Sequence, residues 1–169
     1  SPGEGMPSYW NFEAVQATTD PDEAVNDVVA NNASLFNDAI IEATGAQGQS
    51  VFFDGVNDYA SVADQDEIKN NGSFTISAWI NPASVVTSRT QYIVQKGAAY
   101  KDYGLIIVST QGTPTPSAPP YNNHANGSIA FQVGDVTPNT LYGPILPVNT
   151  WTMITGVYDA NAGQMRLYL

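Results

Sequence analysis

The feature that most constrains this chain is its punctuation. From Tyr9 to Leu169, short strand-forming runs recur, each closed by Gly, Asn, Asp or Pro, and sustained helical periodicity is missing. The runs are Tyr9–Val15, Ala39–Ala43, Ser50–Asp54, Tyr59–Ala63, Phe74–Pro82, Gln91–Lys96, Tyr103–Ser109, Ser128–Gly134, Trp151–Tyr158 and Gln164–Leu169. Many short strands with Gly- and Pro-rich turns predict an all-β sandwich or barrel. Residues 1–8 hold two prolines and two glycines and read as a linker or arm. At 169 residues, the remainder suits one domain with one sizeable core.

The sharpest alternation is FTISAWI. Phe74, Ile76, Ala78 and Ile80 point one way, and Thr75, Ser77 and Trp79 the other. WTMITGVY has apolar residues on both faces and reads as a central strand buried on both. The following Asp159-Ala160-Asn161-Ala162-Gly163 is a hairpin loop, because Asp and Asn tolerate positive φ and Gly adopts it freely. Trp10, Trp79 and Trp151 lie inside strand-like runs and are expected in the core. Helix is expected only near 21–30, where Asp20 can cap and Pro21 can open a first turn. The proline-rich stretch at 112–128 is a loop.

Composition removes several function classes. Sixteen acidic residues face five basic ones, giving a net charge of −11. The cations are mostly scattered, so a phosphate backbone would find no footprint and nucleic acid is an unsuitable partner. Without cysteine there is no disulfide, thiolate or zinc-thiolate chemistry. No apolar run is long enough to span a membrane by helix, so membrane insertion is not expected, and the opening residues lack the basic and apolar regions of a signal peptide.

Taken in order, the segments YWNFE, VFFDGVNDYASV, SFTISAWINP, YIVQKG…YGLIIV and NTWTMITGVYDANAGQMRLYL resemble the laminin-G-like, or concanavalin A-like, jelly-roll superfamily. The likeness is greatest to bacterial LamG-type extracellular modules and covers about residues 9–169. It implies a two-sheet antiparallel jelly roll, secreted or displayed at the cell surface, whose partners are glycans or extracellular matrix polymers. In such domains the strand corresponding to RLYL leads on to further strands, so the chain is expected either to continue past Leu169 or to be completed by a strand donor from another chain or a neighbouring domain.

The resemblance also frames the chemistry. Glycosidases of the superfamily carry two glutamates on one strand around an aspartate, a pattern absent from this sequence, so a non-catalytic module is expected. His124 lies in the proline-rich loop without a nearby triad. Calcium, which collects carboxylate, amide and carbonyl oxygens, is the expected cofactor. Its candidate donors are Asp20, with Asp22 beside it, and Asp54, Asn57, Asp58 and Asp102. Asp102 is the position implied by resemblance to pentraxins, although Tyr103 stands where they have Asn. For Asp54 and Asp58 a plain turn, with the carboxylate accepting local N–H groups, is the first reading, and it is compatible with calcium because a turn exposes carbonyls.

Sugar recognition needs aromatic faces beside amides and charges. The densest such stretch holds Arg89, Gln91, Tyr92, Lys96, Tyr100, Lys101, Asp102 and Tyr103, joined by Tyr121, Asn122, Asn123 and His124. Arg89, Tyr100, Tyr103, Tyr121, Asn123 and His124 are the candidate ligand-binding residues. Asn32, Asn71 and Asn126 open Asn-x-Ser sequons, which matter only in a host that glycosylates.

Overall fold

The computed structural model describes residues 10–16, 24–27, 32–69, 72–85, 89–97, 102–108, 125, 127–134 and 140–169. The chain is all-β and falls into two compact units, Ser1–Lys69 and Asn70–Leu169.

In the first unit β1 (Trp10–Gln16), β2 (Ala24–Asp27), β3 (Ala33–Phe36) and β6 (Tyr59–Val62) form one antiparallel sheet in the order β1-β2-β3-β6. A separate ribbon pairs β4 (Ile40–Glu42) with β5 (Ser50–Phe52). Within the expected helix at 21–30, the described residues Ala24–Asp27 form β2, and no α-helix occurs among the described residues; among them a single 3-10 turn covers Asp66–Ile68. The physical reason lies in AVND: Val, Asn and Asp are weak helix formers, and a β3 partner supplies the ladder.

VFFDGVNDYASV, two strand-like runs around an Asp-Gly turn, reads as a local hairpin. Its two strands do not pair with one another. β5 pairs with β4 in the register Ile40↔Phe52, and β6 pairs with β3 in the register Phe36↔Tyr59. The segments therefore make one long hairpin, β3–β4 out and β5–β6 back, closed at residues 43–49, where Gly45 N donates to Gly48 O at 2.6 Å. Midway along it, residues 53–58 bulge out opposite residues 37–39. Ala33 and Leu35 are buried here against Ala39, Ile41, Val51 and Val62, while Phe52, Phe53 and Val56 are exposed.

The second unit contains two facing sheets. One, in the order β11-β10-β9-β8, comprises β8 (Gln91–Lys96), β9 (Tyr103–Ile107), β10 (Ser128–Val133) and β11 (Thr140–Ile145). The other, in the order β13-β12-β7, comprises β7 (Phe74–Ile80), β12 (Thr152–Asp159) and β13 (Gln164–Tyr168). Leu105, Ile107, Ile129, Phe131, Val133, Leu146 and Ile154 form the core between them, and Phe74, Ile76, Ile80 and Leu167 pack onto it. Phe74 meets Phe131 edge-on with centroids 6.0 Å apart.

FTISAWI alternates as its pattern predicts, with the Phe74, Ile76, Ala78 and Ile80 side half-buried and the other side exposed. Trp79 is thereby exposed rather than in the core. β12 is the central strand of its sheet, but Met153 is exposed too, so only one of its faces is closed. The β12–β13 hairpin forms as expected: Asp159 Oδ1 accepts from Asn161 N and Ala162 N, both at 3.1 Å, and Gly163 has φ +61°. No helix among the described residues is long and apolar enough to cross a membrane.

Candidate functional site

Asp102 immediately precedes β9 and faces the end of β8, because the ladder brings Lys96 opposite Tyr103 and Gln95 opposite Gly104. Gly97 follows with φ +68°, a conformation that excludes most side chains. The Asp102 carboxylate fills the space where a Gly97 side chain would stand. Gln95 reaches the same glycine, with Nε2 donating to Gly97 O at 3.3 Å, and its Oε1 is buried with no hydrogen-bond partner. Asp102 O accepts from Gly134 N at 2.5 Å, which ties the hairpin to the end of β10. The Asp102 carboxylate and the Gln95 amide nitrogen thus both approach Gly97, a glycine that a side chain cannot replace, at the end of the β8–β9 hairpin.

Tyr103 is held against the core edge, its ring 5.1 Å from that of Phe74. Burial first, and the Asp102 charge second, push its phenol above the usual tyrosine value. Arg89 stands elsewhere. It precedes β8 at the end where Gln91 faces Ile107, so the ladder separates it from Tyr103 instead of bringing the two together. Tyr92, a residue that could have been core, is exposed. Tyr100, Tyr121, Asn123, His124 and Asp20 lie outside the described residues, as do Asp22, Lys101, Asn122, Asn71 and Asn126.

The Asp54–Asp58 bulge uses its carboxylates on its own backbone. Asp54 Oδ1 accepts from Val56 N at 2.7 Å. Asp58 accepts from Asp54 N at 2.8 Å and from Asp38 N at 3.1 Å, one donor on each oxygen. Asn37 Nδ2 donates to Asn57 O at 2.5 Å. These bonds close the bulge against the β3–β4 corner, and they are what turn chemistry requires. Among the described residues no group of three or more His, Asp or Glu converges as a metal cluster.

The outer side of the β13-β12-β7 sheet is the feature that sequence reasoning missed. Trp79, Met153 and Tyr168 are all exposed there. The signal was present: in FTISAWI the tryptophan shares its face with Thr75 and Ser77, which no core would accept unpaired. Charge is also unevenly spread. Thirteen of the sixteen acidic residues fall in residues 1–69 beside a single lysine, whereas residues 70–169 carry three aspartates, four cations and no glutamate.

A family model of the laminin-G type, described as the concanavalin A-like lectin/glucanases superfamily, matches residues 54–169. No curated protein and no solved structure matches the chain.

Proposed function

The chain belongs to the concanavalin A-like lectin/glucanases superfamily, and from that premise we propose that it is a non-catalytic, extracellular carbohydrate-binding or adhesion module. The observation that carries the reading is the match itself, which takes in the whole two-sheet unit.

A calcium ion would sit at the end of the β8–β9 hairpin. Asp102, the unpartnered Oε1 of Gln95 and neighbouring carbonyls would hold it, and such oxygens are the donors calcium takes. Bound there, calcium would fix the hairpin and offer open coordination positions to sugar hydroxyls. The bulge at Asp54–Asp58 fits the ion less well, because three of its four carboxylate oxygens already accept backbone N–H groups.

The test is a glycan array and affinity electrophoresis of the chain with calcium and with a chelator. Glycan retention that weakens on chelation is the expected result; no retention of any glycan with calcium present overturns the reading.

A second reading, assembly through a strand from another chain, draws on β13, which is the edge of its sheet and has alternating Met165 and Leu167 on the core side. Light scattering distinguishes it: a monomer at high concentration argues against assembly.

A further inference from the structure

A sheet in a two-layer sandwich needs only one apolar face; the other is left to water and is ordinarily polar. The β13-β12-β7 sheet meets that need with Ile76, Ile154 and Leu167 on the inside. Its outer face nevertheless exposes Trp79 at 45%, Met153 at 43% and Tyr168 at 53% of their surfaces. Three large side chains left to solvent on one rigid face require an explanation in terms of what they meet.

The register gives their arrangement. Trp79 on β7 lies directly opposite Met153 on β12, and one two-residue step along, Ser77, Thr155 and Tyr168 form a row across all three strands. Trp79 and Tyr168 are therefore two strands and one step apart. Two strand spacings of about 4.8 Å and a rise of about 6.8 Å set their backbones roughly 12 Å from each other. Between the rings sits a hydroxyl pair, Ser77 Oγ and Thr155 Oγ1 at 2.9 Å, in which each oxygen keeps capacity for a further partner. One step beyond Tyr168 is Arg166, its Nη2 donating to Gln164 Oε1 at 2.8 Å.

We propose that the outer face of the β13-β12-β7 sheet is a second binding site, a platform for an extended, neutral, equatorially linked glycan. It rests on the carbohydrate reading above but places recognition away from the hairpin mouth. The axial C–H face of a pyranose ring is apolar and stacks on an indole or phenol, while its equatorial hydroxyls need donors and acceptors at the rim. The face offers those two functions in alternation: a ring at either end and hydroxyls between. A protein partner would call for one contiguous apolar centre, and here the centre is the Ser77–Thr155 pair. Arg166 on β13 and Asp159 at the end of β12 place one charge of each sign on this face, so neither a polycation nor a strongly polyanionic chain is favoured. Strand backbones hold both aromatic residues in ladders, so little ordering is needed on binding.

Calorimetry with β-1,4-linked gluco-, manno- and xylo-hexaoses, and an α-linked hexaose as a curved control, tests the platform on the whole chain. Trp79→Ala and Tyr168→Ala are expected to weaken binding of an extended hexaose by about tenfold each, as loss of an aromatic anchor does. Trp79→Phe should retain part of the affinity. Both aromatic residues are exposed, and an unchanged urea midpoint verifies the fold of each variant. Binding that survives both alanine variants but falls with Asp102→Asn overturns the platform and leaves the carbohydrate reading standing. No binding by the unmutated chain overturns both. A dimer in solution that Trp79→Ala dissolves assigns the face to protein contact and also overturns the proposal.

Discussion

The Phe131 ring occupies the space in which a side chain at Gly156 would begin: a Cβ there would lie 2.6 Å from its nearest ring atom. Phe131 is fully buried at the centre of the sandwich, and Gly156 is on the central strand of the facing sheet. The glycine is thus what lets the two layers close. Gly156→Ala should cost about 1–3 kcal/mol through overpacking, despite the better strand entropy of alanine. A urea titration should show a lower midpoint with an unchanged slope.

Asp58 ties two corners of the long first-unit hairpin, one carboxylate oxygen to each of Asp38 N and Asp54 N. Asp58→Ala should destabilise that unit by about 1–2 kcal/mol, the range for hydrogen bonds to a charged acceptor discounted for solvent access. Asp54→Ala, which removes the single bond to Val56 N, should cost about 0.5 kcal/mol. Amide hydrogen exchange should accelerate at Asp38 and Asp54 in the first variant and at Val56 in the second.

Tyr103 makes the second unit sensitive to alkali. Burial and the neighbouring Asp102 charge raise its phenol above 10.0, so folding favours the protonated form. Its contribution is present in full below the ordinary tyrosine value and is lost as pH rises through the raised folded one. In calcium-free buffer, Tyr103→Phe should flatten the fall in stability above about pH 10. Asp102→Asn should bring the phenol back towards the ordinary value, which a near-ultraviolet absorbance titration reads.

Calcium, if Asp102 and Gln95 hold it, binds the folded chain and not the unfolded one. Addition of calcium should then raise Tm in a concentration-dependent way, by the mass-action stabilisation of the native state. Chelation should reverse the rise. Asp102→Asn should abolish it, whereas Asp54→Asn should preserve it, and differential scanning calorimetry separates the two.

Much of the second unit was legible in the chain. FTISAWI, YGLII, SIAFQV and QMRLY form strands where period-two patterning or apolar runs place them, and the Asp159–Gly163 loop turns as its residues require. Three strands were hidden. TLYGPI carries a glycine and a proline that argue against a strand, and it forms one because β11 is the edge of its sheet, where a missing N–H costs no ladder bond. AVND and ASLF are too short to show a period, and only their partners define them. Of the expected site, Asp102 and Tyr103 meet at one hairpin mouth while Arg89 is carried to the far end of the same ladder.

The sequence by itself determined the class of fold, the faces of the long strands and the chemistry that an acidic, cysteine-free chain is denied, because these depend on local alternation and composition. Tertiary structure decided the rest. It split VFFDGVNDYASV between two partners, and it turned Trp79 outwards beside Met153. Strand pairing is non-local, so a run of residues specifies that it will be a strand without specifying its neighbour; and an aromatic on an alternating face becomes core or platform only when the opposite layer has chosen its side.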